Sequence, residues 1–198
     1  MKLEEYKLVF AAVGLIGVLL FSVPVLTDLI HLPNNEPFSE LYILGPQGLA
    51  ENYPSNVVAN SSYSIILGVG NHLSSSAYYM IYAKLGNDAD QLPNGTAGTP
   101  SPLPSLYESR FFLADSQSWQ SPLNFTITNA SFSGNQSAIN MLTINNAAFN
   151  TNKISYWDVN NTGFYYRLVF ELWRFNTQSN SLLFDDRYVS LELNLTTT

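Results

Sequence analysis

Nineteen consecutive residues without a charge, Leu8 to Leu26 (LVFAAVGLIGVLLFSVPVL), constrain this chain more than any other feature. At about 1.5 Å of helical rise per residue, such a run matches the ~30 Å hydrocarbon core of a bilayer. It reads as one transmembrane helix. A signal peptide would carry a shorter apolar stretch, about 7–15 residues, closed by a small-x-small cleavage site, and the exit from Ser22 to Asp28 offers none. Lys2 and Lys7 precede the run, whereas Asp28 and no nearby Lys or Arg follow it. The excess of positive residues places the N-terminus inside. The expected order is therefore a cytoplasmic segment 1–7, a transmembrane helix 8–26, a stalk 27–37 and an extracytoplasmic domain 38–198, making a single-pass protein of the cell membrane. Ala11, Gly14, Gly17 and Ser22 are small and give the helix a face on which a second membrane helix can pack, and Pro24 is placed to kink its outer end.

Beyond the stalk, short runs of alternating apolar residues are separated by turn residues: Phe38–Leu44, Ser62–Val69, Ala77–Leu85, Leu106–Leu113, Leu123–Thr128, Ala138–Ile144, Phe164–Phe175 and Arg187–Leu195. Period-two alternation is the signature of half-buried strands, so the domain is expected to be all-β, an antiparallel β-sandwich of about eight strands. In the last run Val189, Leu191, Leu193 and Leu195 share one face, with Tyr188, Ser190, Glu192 and Asn194 on the other. In FYYRLVFELWRF both faces are largely apolar, as in a central strand. The stretch LPNGTAGTPSPLP, residues 92–104, holds four of the ten prolines and is expected to be a long surface loop.

Only 12% of residues are charged and the net charge is -7, with no Lys/Arg cluster beyond the apolar run, which excludes a nucleic-acid partner. The absence of cysteine removes disulfides, thiolate metal sites and a thiol nucleophile together. Few carboxylates also means little stability to lose on acidification. Seven Asn-x-Ser/Thr sequons begin at Asn60, Asn94, Asn124, Asn129, Asn135, Asn160 and Asn194, all on the expected outer side. N-linked glycans there would supply the solubility that charges do not. Candidates for catalysis are thin. His31 and His72 are the two histidines and lack metal-ligand spacing, while Asp88 with Asp90 and Asp185 with Asp186 read as solvated turns. No catalytic, cofactor or metal residues are assigned, and an enzyme is not expected.

The segment Phe38-Ser-Glu-Leu-Tyr-Ile-Leu-Gly-Pro-Gln-Gly-Leu-Ala-Glu-Asn-Tyr-Pro, followed by a strand and Asn71-His72, resembles the opening of an archaeal family, domain of unknown function 1616. The resemblance implies a membrane-tethered, immunoglobulin-like sandwich on the cell surface, with no activity assigned. Within it, Gly45-Pro46-Gln47-Gly48 is a turn signal, and Glu40 and His72 are the polar residues closest to a site. Its bland counterpart has Glu40 on a strand's outer face and Asn71-His72 capping a turn. The functional expectation is a glycosylated extracytoplasmic interaction module, an accessory subunit of a membrane or cell-surface complex whose partners are the lipid bilayer and a second protein. An envelope structural protein contacting surface-layer or filament proteins is the alternative, and an extracytoplasmic hydrolase the weaker one.

Overall fold

The computed structural model of the protein describes residues 6–7, 9–18 and 36–197. The chain divides into two compact units, Met1–Glu36 and Pro37–Thr198. In the first, residues 9–18 are helical, and Val9, Phe10, Val13, Leu15, Ile16 and Val18 are all exposed. Among the described residues no helix is long and apolar enough to cross a membrane. Leu8, residues 19–26 with Ser22 and Pro24, and the stalk through residue 35 with His31 lie outside the described residues.

The second unit is built from ten strands: β1 (Phe38–Leu44), β2 (Asn56–Val58), β3 (Ser62–His72), β4 (Ala77–Asn87), β5 (Tyr107–Leu113), β6 (Ser118–Ser133), β7 (Gln136–Ile144), β8 (Ala147–Asp158), β9 (Gly163–Asn176) and β10 (Ser181–Thr196). One sheet runs β1-β3-β6-β7-β8 and the other β5-β4-β9-β10-β2. They join where Trp157 and Asp158 of β8 pair with Phe164 and Gly163 of β9. Alternation fills the space between the sheets. Ile65, Leu67 and Val69 of β3 and Leu123, Phe125 and Ile127 of β6 meet Tyr166, Leu168, Phe170 and Leu172 of β9 and Leu191, Leu193 and Leu195 of β10, all buried. The domain is a β-sandwich.

Two strands exceed the eight expected. β8 escapes the periodicity because its inward positions, Thr151, Lys153 and Ser155, are polar and it forms a sheet edge. β2 is three residues long, and it pairs with β10 in parallel, so the sandwich is not wholly antiparallel. The reason is the crossover between β1 and β2, which carries the chain from the edge of one sheet to the edge of the other. That crossover starts with the anticipated turn, in which Gly48 N–H donates to Gly45 O at 2.9 Å and Gly48 takes φ +77°. Gly45 is held to glycine by space, because a Cβ there would collide with the backbone carbonyl of Glu51.

The segment between β4 and β5, residues 88–106, lies over the outer face of the second sheet. The core-facing residues of β4 and β9 include Ala83, Leu85, Phe170 and Leu172, so Lys84, Val169 and Glu171 point outward. All three are nevertheless buried. The Pro-rich stretch is thus a surface loop as expected, but one fastened to the sheet.

Candidate functional site

The outward charges beneath this loop form a closed set. Lys84 Nζ lies 2.9 Å from Glu171 Oε2 with side chains 6% and 0% exposed. Lys84 also donates to Ser101 O at 2.7 Å, Ser101 N–H donates to Glu171 Oε1 at 2.7 Å, and Trp173 Nε1–H donates to Glu171 Oε2 at 3.1 Å. Lys84 is the one charge in AYYMIYAKLGN, and Glu171 is the one acidic residue in GFYYRLVFELWRFN, whose other charges are Arg167 and Arg174; opposite charges set into apolar strands were the readable signal for the pair. Every polar atom is satisfied within the protein, which makes the set a fastening rather than a reactive centre.

The motif residues near β1 divide by burial. Asn71 is fully buried, and its side chain uses all its capacity: Nδ2 donates to Ser75 O (2.8 Å) and Leu113 O (3.1 Å), while Oδ1 accepts from Leu73 N–H (3.2 Å) and Tyr79 O–H (3.1 Å). His72 and Glu40 are exposed, 3.4 Å apart on the surface, with Phe38 stacked on the imidazole at 4.7 Å. Asn71 holds the turn into β4, and Glu40 sits on the outer face of β1, in line with the structural reading of these residues.

Next to Asn71, Tyr79 Oη lies 2.9 Å from Ser39 Oγ. Asp185 stands beyond them at a bulge in β10 where Asp186 takes φ +56°, and Arg174 Nε contacts Asp185 Oδ1 at 2.9 Å. The Asp185 side chain is 9% exposed, so this pair is not the solvated turn its sequence suggested. Burial pushes the Asp185 carboxyl above the ordinary carboxylate range, against the Ser39 hydrogen bond and the positive charges of Arg174 and Arg187, which pull it down. The folded state therefore holds this proton more tightly than the unfolded chain. Its stabilising effect is present below the usual carboxylate value of about 3.9 and is lost as pH rises through the higher folded value. Asp185→Asn, which stays neutral, is expected to be weakest relative to the native chain at about pH 3 and to regain that difference by about pH 7. Urea midpoints at both pH values check this, and an unchanged difference would contradict it. Half-buried Asp158 acts in the opposite sense. Hydrogen bonds from the Asn161 side chain and from the Asn160 and Asn161 backbone lower its carboxyl, so its contribution fades as pH falls.

Arg174 and Asp185 border an open cleft of about 600 Å³, lined also by Leu73, Tyr78, Phe112, Phe175 and Leu183. Phe112 is 75% exposed and rests on Tyr78 at 4.6 Å. A second exposed apolar group, Ile154, Tyr156, Trp157 and Val159, ends the edge strand β8 and the turn after it. Neither surface carried a sequence signal, because scattered aromatics in strands look the same whether they face the core or solvent.

Asp88 and Asp90 do not converge on a common point: Arg167 contacts Asp88 at 2.9 Å and Lys153 contacts Asp90 at 2.9 Å. Among the described residues, no group of three or more His, Asp or Glu side chains is arranged to hold a metal. Asn60, Asn94, Asn124, Asn129, Asn135 and Asn160 are exposed. Asn194 differs from its expected solvent-facing position. It is half-buried, its Oδ1 accepts from Phe164 N–H at 3.2 Å, and its Nδ2 donates to Asn56 Oδ1 at 3.2 Å, because β10 is flanked here by both β9 and β2. In the first unit Ala11 and Gly14 are exposed and Gly17 is half-exposed, and a Cβ at either glycine meets nothing within 4 Å.

A family model described as a domain of unknown function, DUF1616, matches residues 32–160. No curated protein matches the chain. Among solved structures, it is similar to the CARDB domain of a Pyrococcus furiosus protein in complex with di-metal ions, at 9% identity and a TM-score of 0.41, over 82% of this chain and 90% of that one. It is also similar to a mutant β-glucosidase from Listeria innocua in complex with laminaribiose, at 7% identity and a TM-score of 0.41, over 81% of this chain but 16% of that one. A β-glucuronidase from Bacteroides uniformis follows at 12% identity and a TM-score of 0.36, over 78% of this chain and 13% of that one.

Proposed function

This chain belongs to the DUF1616 family, a domain of unknown function, and we propose that it is a membrane-tethered, glycosylated extracytoplasmic interaction module of immunoglobulin-like build, an accessory subunit of a membrane or cell-surface complex. The observation that carries this reading is the helical stretch 9–18, whose apolar side chains are exposed on every side. A helix apolar all round belongs in a protein core or in lipid. It lies within the uncharged run 8–26, and the six exposed sequons all follow that run in sequence. Ala11, Gly14 and Gly17 supply the small residues that let two membrane helices approach closely.

Because a Cβ at Gly14 or Gly17 has open space around it, leucine at both positions fits the chain itself and disturbs only a partner. The Gly14→Leu/Gly17→Leu variant is expected to lose about tenfold in recovered partner, equivalent to ~1.4 kcal/mol, with the melting of the sandwich unchanged. Equal recovery of the partner in mild detergent would contradict the accessory-subunit reading.

The envelope reading has its own supporting observation in β8. Among the described residues no strand pairs with its outer edge over residues 147–156, and Tyr156, Trp157 and Val159 stand exposed at its end. Free edges and exposed aromatics are common anchors for a protein partner. Substituting Tyr156 and Trp157 would then release an envelope partner that the glycine variant leaves bound.

A further inference from the structure

We propose that the end of the sandwich from which β1 departs docks on the bilayer surface, with Phe112, Phe175 and Leu183 at the boundary between lipid headgroups and acyl chains. The inference rests on the tethered reading above and adds the surface by which the domain meets the lipid.

Strand register defines that end. Phe38, the first residue of β1, pairs with His72, and the same end carries the β3–β4 loop, the β5–β6 turn and the β9–β10 hairpin turn. The aromatic cleft opens here. Tyr79 pairs with Arg174 and Tyr78 with Phe112, so Phe112, Tyr78 and Phe175 form one row across three neighbouring strands. Leu183 borders the same cleft. Interfacial aromatics of this kind sit favourably at headgroup depth.

The adjoining loops suit the same environment. Residues 73–76 read LSSS and 177–180 read TQSN, without a charge between them. These two loops bring no ion of their own into a headgroup layer, while exposed Asp115 in the β5–β6 turn at the same end accepts from Ser74 N–H at 2.7 Å and stays among the polar headgroups. Arg174, Asp185 and Asp186 also line the cleft, but they stand one to three residues further from the hairpin turn than Phe175 and Leu183, on the aqueous side of such a boundary.

Connectivity and modification point the same way. The chain reaches Phe38 from a stalk of eleven residues, 27–37, which spans at most about 35–40 Å when fully extended. None of the residues lining the cleft begins a sequon. Asn135 lies in the β6–β7 turn and Asn160 in the β8–β9 turn, while Asn60 and Asn129 sit near the start of β3 and in the distal half of β6, all towards the opposite end. Glycans at these four would leave the aromatic end clear, whereas Asn94 lies beside Asp186 and Arg187 on the flank of the cleft that is placed on the aqueous side.

The absence of cysteine makes the test direct. The full chain carrying Phe112→Cys is labelled with a polarity-sensitive fluorophore and reconstituted into phosphatidylcholine vesicles containing spin-labelled lipid. A Ser133→Cys label at the distal end of β6 serves as the distal control, and Leu183→Cys repeats the measurement from a second strand. The labels at 112 and 183 are expected to shift to the blue and to be quenched at least threefold more than the label at 133. Chains that float with the vesicles while all three labels are quenched equally would overturn docking and leave the tether standing. A blue shift without lipid quenching would assign the cleft to a protein, including a second copy, and would also overturn it. Failure to float would remove the tether and the docking together.

Discussion

Lys84→Ala is expected to destabilise the sandwich by about 3–5 kcal/mol, the range for removing one partner of a buried ion pair. Glu171 is left behind with a fully buried side chain and without Lys84 Nζ, which among the described residues is the cation in ion-pair contact with it, at 2.9 Å. Ser101 O loses its donor in the same step. The loop over residues 88–106 should therefore come free before the sheets do. Urea unfolding gives the total, and amide exchange at Ser101, whose N–H donates to Glu171 Oε1, gives the local part. The double variant Lys84→Met/Glu171→Leu should recover part of the loss, because an apolar pair of similar volume needs no desolvation of charge, while Ser101 N–H, Ser101 O and Trp173 Nε1–H stay without these partners. A single-variant loss below about 1 kcal/mol would mean that water reaches the pair, as it does around exposed salt bridges.

Asn71→Leu is the second large effect. The substitution keeps the volume but strips four hydrogen bonds from a fully buried site, leaving Ser75 O, Leu113 O, Leu73 N–H and Tyr79 O–H without this partner. At about 1–3 kcal/mol for each buried group that finds no replacement, the expected loss is on the order of 3–5 kcal/mol. His72→Ala, one residue on, should cost under about 1 kcal/mol, since the imidazole is exposed and its contact with Glu40 is a surface one. Thermal melts of the two variants side by side settle the contrast. Similar losses for both would show that the Asn-His pair works as a unit rather than as a buried cap beside a surface residue.

Much of the frame was legible because burial and period coincide. Val189, Leu191, Leu193 and Leu195 alternate in the sequence, and the last three are buried on one face of β10. The two-sided apolar pattern of β9 was legible too, and its meaning is now physical: one face meets the opposite sheet, and the other lies under the loop over residues 88–106. β8 was illegible because an edge strand that turns Thr151, Lys153 and Ser155 inward shows no apolar alternation. The Asp185-Asp186 pair misled for a related reason. Two adjacent aspartates look like a turn, but a bulge in β10 sends one of them inward to Arg174. The aromatic cleft could not be read at all, since it is assembled from β4, β5, β9 and β10, whose order in the sheet depends on long-range pairing.

The exposed apolar helical segment is the observation behind the proposal of an accessory subunit held at a membrane surface. Native mass spectrometry of the full-length protein, purified from its own membranes in mild detergent, tests that most directly. The expected result is a stoichiometric complex with a second protein, added glycan mass at the exposed sequons, and loss of the partner in the Gly14→Leu/Gly17→Leu variant. A protein that leaves the membrane without detergent, or that elutes alone and unmodified, would contradict it.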